Sequence, residues 1–423
     1  MVNLKNAKGE FGLIVKIAVL CILAFQYAKA FSTPAIADIA AAYPMVSATD
    51  VKLVETIPSL LAIPGSLLVI ILERVMKKKS ILWIAMIGTA ASGVICGLMP
   101  ETLAGFYGIL ACRAVLGIAR GIVFPMSASF IADLFTGETR DRMLGFRTAA
   151  GGVWGIAFML IGGFLAALSW RYAFLGYIIC ISPIIIIAVG LPEPDVKPLP
   201  IKSGNKQLGG SIWIVIALAF LVNAFVFCVF TNMSLCVAGL GIGNSATSGT
   251  ILSGVTCATA VGGFLYGAVL KGRLGGFDMA IALLIMTAGF FVLTQWLTVP
   301  GYFVGAILFG LGFGSFFPPL MIQACKLVPR ESATMAISII GISQNLGQFA
   351  SPYILGFFAS VFGIAPEVPA LSGFMTTAPL CLALSIILFV VLGILRKKCP
   401  EKIAGVPEKK LPVEATEATE TAE

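Results

Sequence analysis

Arg113 and Arg120 lie seven residues apart inside 102–124, a stretch that is otherwise almost wholly apolar. That spacing puts both guanidinium groups on one face of a helix, with Gly117 between them. A guanidinium is always charged, and its fork of donors matches a carboxylate or a phosphate. Two on one face suit the holding of a substrate anion or the control of a nearby carboxylate. Gln26 and Lys29, in the apolar stretch 13–37, extend the set of donors. One carboxylate is similarly embedded: Glu55, in 51–72, shares a helical face with Ser59 and Ser66. Desolvation neutralises such a group and a neighbouring cation re-ionises it, which is the behaviour of a proton carrier. Plainer readings stand beside these. Arg113 would be structural, Arg120 would snorkel to the inner surface, and Lys29 would snorkel outward along Tyr27 and Phe31. Glu55 would favour the dipole of a helix capped by Thr49 or Asp50. Amides supply the remaining polar groups: Asn223 and Asn232 in 212–236, and Gln344, Asn345 and Gln348 in 334–360. Such amides either bind substrate or bond between helices. Asn223 and the dense 344–348 cluster are expected to line a cavity; Asn232, near an outer end, is not.

Other chemistries are poorly supplied. The chain has no His, which removes imidazole bases, His metal ligands and His-activated nucleophiles. Its 10 Cys are scattered singly through apolar runs without CxxC spacing, as small buried hydrophobes would be. No GxxxxGK[ST] loop is present to drive an ATP motor. No metal, cofactor or catalytic residue is expected, and the protein does not read as an enzyme.

The elements that carry these residues must be membrane helices. Charged residues make up 11% of the 423 residues, the hydrophobic share is 59%, and the mean hydropathy is +1.01. A soluble domain carries about 25% charged residues. Apolar stretches at 13–37, 51–72, 80–99, 102–124, 146–168, 172–190, 212–236, 248–270, 279–298, 301–322, 334–360 and 371–395 predict twelve spans. They lack the alternation of a membrane barrel. The first has no small-residue cleavage site, so it reads as a span and not as a signal peptide. With the N-terminus in the cytoplasm, the inner segments hold Lys5 and Lys8; Arg74 and Lys77–Lys79; Arg140 and Arg142; Lys197, Lys202 and Lys206; Lys271 and Arg273; Lys326 and Arg330; and Arg396–Lys398 with Lys402, Lys409 and Lys410. The outer segments hold only Lys52 and Arg171. That is the positive-inside pattern of a multi-pass cell-membrane protein with both termini inside. It accounts for the net charge of +8 without nucleic acid. The domain reading is a six-helix bundle over 1–190, a cytoplasmic linker over 191–210 rich in Pro, Gly and charge, a second bundle over 211–398, and a disordered tail over 399–423.

The halves repeat. At an offset of 193, Gly117, Gly121 and Pro125 fall on Gly310, Gly314 and Pro318. Glu138 then falls on Glu331, and Gly163 on Gly356. Duplicated halves with a site between them are an architecture of secondary transporters.

On these residues the chain resembles the major facilitator superfamily. Glu73, Arg74, Lys77 and Lys78 match the charged part of its loop between the second and third helices, although Val69 and Met76 replace the glycines. Arg113, Gly117 and Gly121 fit its fourth-helix motif. Asp133, Arg140 and Gly145 fit its next cytoplasmic loop, Trp170–Arg171 its outer turn, and Gly347–Pro352 its eleventh helix. The glycine–proline motif of its proton-driven drug antiporters is missing, because Phe158 and Met159 stand in its place. The resemblance implies a twelve-helix fold of two pseudo-symmetric bundles. It also implies an inner gate in which Glu73, Arg74, Asp133 and Arg140 form charge pairs, with Glu73 and Arg74 facing the dipole of the eleventh helix, when the inside is closed. Gly151–Gly155 and Gly263–Gly267 would lie on neighbouring fifth and eighth helices across the halves and let them slide.

The expected protein is therefore an all-α secondary transporter working by alternating access, without cofactor, as a monomer in the lipid bilayer. The excess of Arg113, Arg120 and Lys29 over Glu55 favours a small organic anion, moved with protons or by exchange. A proton-driven exporter of drugs or amphiphiles is the alternative, with Phe25, Phe225, Phe227 and Phe349 as its aromatic wall. A membrane receptor without transport is another.

Overall fold

The computed structural model describes residues 11–194, 210–270, 272–329 and 332–398. Lys5, Lys8, Lys197, Lys202, Lys206, Lys271, Arg330, Glu331, Lys402, Lys409 and Lys410 lie outside the described residues, as do most of the expected linker and the whole expected tail.

Among the described residues there are twelve long helical segments. The first six are α1 (Leu13–Ala42), α2 (Leu53–Leu72), α3 (Lys78–Gly97), α4 (Leu103–Leu134), α5 (Gly137–Leu168) and α6 (Trp170–Gly190). The second six are α7 (Ile212–Gly239), α8 (Ser245–Leu270), α9 (Asp278–Gln295), α10 (Val299–Lys326), α11 (Ala333–Val361) and α12 (Leu371–Lys398). All but α11 are apolar enough over 18 residues to be recognised as membrane spans on composition alone. The amides Gln344, Asn345 and Gln348 lower the hydropathy of α11, which at 29 residues is long enough to cross.

Two of the expected boundaries move. The fourth span continues through Pro125 to Leu134, and the fifth begins at Gly137. Asp133 and Arg140 are therefore helical, and only Phe135 and Thr136 separate α4 from α5. Hydropathy marks where the bilayer ends, whereas helical hydrogen bonding has no reason to stop there.

The fold has a basic face, with Lys77–Lys79, Arg140 and Arg142, and a bare face with Lys52 and Arg171. On the bare face Arg171 donates to the Gly97 and Met99 carbonyls at 3.1 and 2.7 Å, which ties the start of α6 to the end of α3.

Three helices are not continuous. α1 passes through 3-10 turns at Ala28–Phe31 and Thr33–Ala35, where Pro34 supplies no N–H. α6 is 3-10 over Gly176–Cys180, and α7 is interrupted at Phe227. These breaks meet: the Phe31 and Tyr177 ring centroids are 5.3 Å apart, and Lys29 Nζ lies 4.8 Å from the centre of the Phe227 ring. Irregular backbone at membrane depth survives only inside protein or along a cavity.

The repeat found in the sequence is a repeat of packing. α4 lies against α2 as α10 lies against α8. A Cβ on Gly117 would stand 2.8 Å from Pro58, and one on Gly310 would stand 2.6 Å from the Val255 carbonyl. Gly121 and Gly314 abut the Ala62 and Thr259 carbonyls one turn further along. In return Gly65 abuts Ile118, and Gly262 abuts Leu311. The last match, Gly163 with Gly356, is not a shared role. Gly163 packs against Gly249, while a Cβ on Gly356 meets nothing. The match of Glu138 with Glu331 reaches outside the described residues.

The crossing of α5 with α8 also differs from expectation. The helices are neighbours, but they approach most closely at Gly163 and Gly249, where a Cβ on Gly249 would meet the Met159 carbonyl at 2.6 Å. Gly151 faces Tyr27 of α1, and Gly267 faces open space. Of the four expected glycines, Gly155 faces the partner helix, where a Cβ would stand 3.4 Å from Thr256, and the other three do not.

Gly117→Ala and Gly310→Ala should each lower stability by roughly 1–3 kcal/mol, the usual cost of overpacking. Gly145→Ala, whose new methyl meets no atom, should be neutral. Melting curves of the purified variants in one detergent would check both statements.

Candidate functional site

Glu55 occupies the first turn of α2, yet only 1% of it is exposed. Lys29 Nζ lies 2.9 Å from one carboxylate oxygen. The other accepts a hydrogen bond from Thr33 Oγ1 at 3.2 Å and stands 3.6 Å from Arg113 Nη2. Lys29 and Thr33 are four residues apart on the 3-10 stretch of α1, and both reach the same carboxylate from adjoining turns. Ser32 Oγ and Thr33 Oγ1 donate to the Lys29 carbonyl at 3.0 and 3.5 Å and stabilise the distorted turn.

Arg113 is buried and committed. Its Nε donates to the Val54 carbonyl at 2.7 Å and its Nη1 to the Tyr177 hydroxyl at 2.9 Å, while its Nη2 makes no hydrogen bond and stands 3.6 Å from Glu55, at ion-pair distance. Gly93 makes room for that tyrosine, because the space of its missing side chain is filled by the Tyr177 ring. Arg113 thus positions and balances Glu55.

Arg120, two turns further along α4, is differently placed. Its Nε donates to the Gln26 carbonyl at 3.0 Å, but its Nη1 is buried without a hydrogen-bond partner. Gln26 Oε1 is likewise buried and unpartnered. Buried polar atoms nearly always have partners, so an open donor and an open acceptor on adjoining side chains mark a place for a ligand or water. Lys29 does not snorkel outward. It turns inward, between Glu55 and the face of Phe227 from the other half.

The amides bridge the halves. Asn223 Nδ2 donates to its own helix at Ala219, and its Oδ1 accepts from Gln348 Nε2 at 3.3 Å. Gln348 Oε1 in turn accepts from Ser59 Oγ at 2.8 Å. Ser59 lies one turn from Glu55, so a hydrogen-bonded chain runs from α2 beside the charged centre to α11 and α7. Asn345 bonds back to the Gly341 carbonyl at 2.9 Å. Gln344 is half-buried and has no part in this chain. Ser66 donates to the Ile63 carbonyl of its own helix and does not join Glu55 and Ser59.

The expected inner charge cluster forms around a different cation. Lys78 Nζ lies 2.6 Å from Asp133 and 3.8 Å from Glu73, and it also meets Ser129 at 2.7 Å. Arg74 and Arg140 are exposed and do not share in these pairs. A lysine at the start of α3 reaches back between the ends of α2 and α4, which the two arginines point away from.

Three participants escaped the sequence reading. Tyr177 and Thr33 carry no signal in an apolar run. Arg147 did carry one, as a charge inside the fifth predicted span. It donates to Ser127 Oγ at 2.8 Å and to the Phe124 carbonyl at 3.0 Å, with its guanidinium 4.7 Å from the Phe124 ring.

Further polar contacts join the halves between the centre and the bare face. Ser234 Oγ donates to the Pro34 carbonyl at 2.6 Å and accepts from the Ala37 N–H at 3.3 Å. Ser245 Oγ bonds to the Asp38 carboxylate.

Two helical bundles that enclose a compensated charge centre at the meeting of broken helices define a transmembrane carrier. The Major Facilitator Superfamily model matches residues 18–293 and 279–419, and the chain belongs to that superfamily. An MFS-type transporter of Pseudomonas aeruginosa is 32% identical over 148 residues, which are 31% of this chain and 36% of the length of that relative. A triacylglyceride transporter of Mycobacteroides abscessus is 21% identical over 379 residues, 70% of this chain and 73% of that one. Among solved structures, a D-xylose–proton symporter superposes with a TM-score of 0.72 at 16% identity, over 89% of this chain and 96% of that chain.

Removing one partner of a buried ion pair leaves an uncompensated charge, at a cost of roughly 3–5 kcal/mol. Arg113→Ala should therefore melt far below the wild type. Arg113→Ala with Glu55→Ala should recover part of the loss, and the double-mutant cycle in detergent would show the two changes to be non-additive.

Proposed function

We propose that the chain is a secondary active transporter of a small organic anion, coupled to protons through Glu55 and working by alternating access. It would act as a monomer in the bacterial cytoplasmic membrane, with both termini inside. The observation that carries this reading is the unpartnered Nη1 of Arg120 beside a centre where Lys29, Arg113 and Arg120 outnumber Glu55. A fixed excess of cations in a low-dielectric cavity favours an anion. Arg113 is engaged by protein groups, so the substrate contacts fall to Arg120, Lys29 and Gln26.

The coupling follows from the same geometry. A substrate carboxylate that draws Lys29 away from Glu55 leaves the latter with fewer compensating contacts, and protonation relieves its burial. The Ser59–Gln348–Asn223 chain passes a change at Glu55 to the opposite half. Glu73, Lys78 and Asp133 would hold the ends of α2, α3 and α4 as one body while the halves rock, with Arg74 and Arg140 solvent-exposed beside them.

An exporter of amphiphiles is the second reading, supported by the likeness to a triacylglyceride transporter. Of its expected aromatic wall, Phe25 and Phe225 are buried in the core and Phe227 lies under Lys29, while Phe349 is half-buried beside Tyr353.

A melting screen of the purified protein would separate the two. A ligand of the folded state at ~100 Kd adds about 2.7 kcal/mol. Small carboxylates should stabilise the wild type and fail to stabilise Arg120→Ala. Stabilisation by lipophilic cations alone, equal in both proteins, would instead support the amphiphile exporter. With a carboxylate hit in proteoliposomes, Glu55→Gln should keep exchange between the two sides and lose accumulation driven by a pH gradient. Accumulation that survives the change would remove Glu55 from the coupling.

A further inference from the structure

On the bare face a second cavity, of about 400 Å³, opens between the two halves. Volumes of about 300–1,000 Å³ are those of small-molecule sites. Its walls come from Thr49 and Lys52 before α2, Cys228 and Asn232 of α7, Pro352 of α11 and Gly373 of α12. No residue of the Glu55 centre lines it, so it is independent of the function proposed above.

The lining has one charge. Lys52 is half-buried, and no carboxylate is among the residues around the cavity. The nearby Asp50 is engaged by Ser47. Opposite stands Asn232, which is 2% exposed and whose Oδ1 has no hydrogen-bond partner. Its Nδ2 is turned toward Gly373, where any side chain would collide with it. The rest of the lining is mainly apolar: Leu235, Leu355, Val368, Pro369 and Ala370. A lone ammonium over an apolar chamber fits a molecule with one anionic end and a hydrocarbon body. A buried amide oxygen without a donor adds a place for water or for the acid proton.

We propose that this cavity binds an amphiphilic carboxylate of medium chain length. Because its walls belong to both halves, an occupant holds them together at the bare face and opposes the outward-opening step.

Octanoate is a suitable probe, with octylammonium and octanol as controls of charge. Octanoate should raise the melting temperature of the full-length protein in detergent, and the two controls should not. Lys52→Gln should raise its Kd at least tenfold. Gly356→Leu should do the same by filling the chamber, and it is sterically mild because a Cβ there meets no atom within 4 Å. If either variant fails to fold, the other carries the test. Arg120→Ala should bind octanoate as the wild type does. Cys228 is 1% exposed and lines the cavity, so its alkylation needs the cavity open and unoccupied. Octanoate should slow the labelling of Cys228 by maleimide, followed by peptide mass spectrometry. The proposal is overturned if octanol stabilises equally, if Arg120→Ala and neither cavity variant abolishes the effect, or if labelling of Cys228 is unchanged. The second of these results would place octanoate at the central site and support the anion reading on its own.

Discussion

A carboxylate sealed from water inside a membrane protein needs cations against it, because the bilayer offers no solvent to screen its charge. Glu55 is such a group, and much of the architecture around it serves that need. Lys29 reaches it from the stretch where α1 leaves α-helical geometry, between Ala28 and Ala35. Arg113 reaches it because the Val54 carbonyl and Tyr177 hold its guanidinium in place. Tyr177 stands there because α6 is 3-10 at that depth and because Gly93 has no side chain. Each distortion costs helix stability locally, and all of them converge on one ion cluster. An apolar residue at position 55 would make most of them unnecessary.

The cluster is over-compensated, and that separates a structural ion pair from a working one. With Lys29 and Arg113, Glu55 already has its counter-charges. Arg120 adds a third cation whose Nη1 meets nothing. Arg113 Nη2 also lacks a hydrogen bond, but it stands at ion-pair distance from Glu55, while Arg113 Nε and Nη1 are held by the Val54 carbonyl and Tyr177. The glycine-lined packing supplies the other requirement of a carrier. Within each half, α2 with α4 and α8 with α10 interlock at backbone distance, which makes each bundle rigid. Between the halves, α5 and α8 also meet at backbone distance at Gly163 and Gly249, and hydrogen bonds such as Ser59–Gln348 and Ser234–Pro34 add contacts that break and form at little net cost.

Much of this was legible in the sequence, and the reasons differ by feature. The twelve helices follow from the thickness of the bilayer, which sets a length and a composition that local sequence must meet. The duplication was legible because close helix packing demands glycine at fixed positions, and Gly117, Gly121, Gly310 and Gly314 all meet that demand. Arg113, Arg120, Lys29 and Glu55 stood out because charge is scarce in a span. Which of them meet was not legible, since it depends on the broken turn of α1, and neither Ser32 nor Thr33 announces that turn. The inner charge pairs show the same limit. A motif gave charges of the right type in the right loop, but a helix that runs past the bilayer edge carries Arg140 outward and leaves Lys78 to face Asp133 and Glu73.

The two arginines of α4 show why type and spacing stop short of role. By sequence they share residue type and helix face, with Arg120 two turns deeper. Three neighbours from other helices separate them. The Val54 carbonyl, Tyr177 and Glu55 surround Arg113, while Arg120 meets only the Gln26 carbonyl. A cation whose every nitrogen faces a protein acceptor has little left for a ligand, and its loss is felt as instability. A cation with a nitrogen left over has a differential to offer, and only differential interactions move a carrier between states. In the function proposed above, one chemistry is divided between a residue that holds the centre together and a residue that lets it respond.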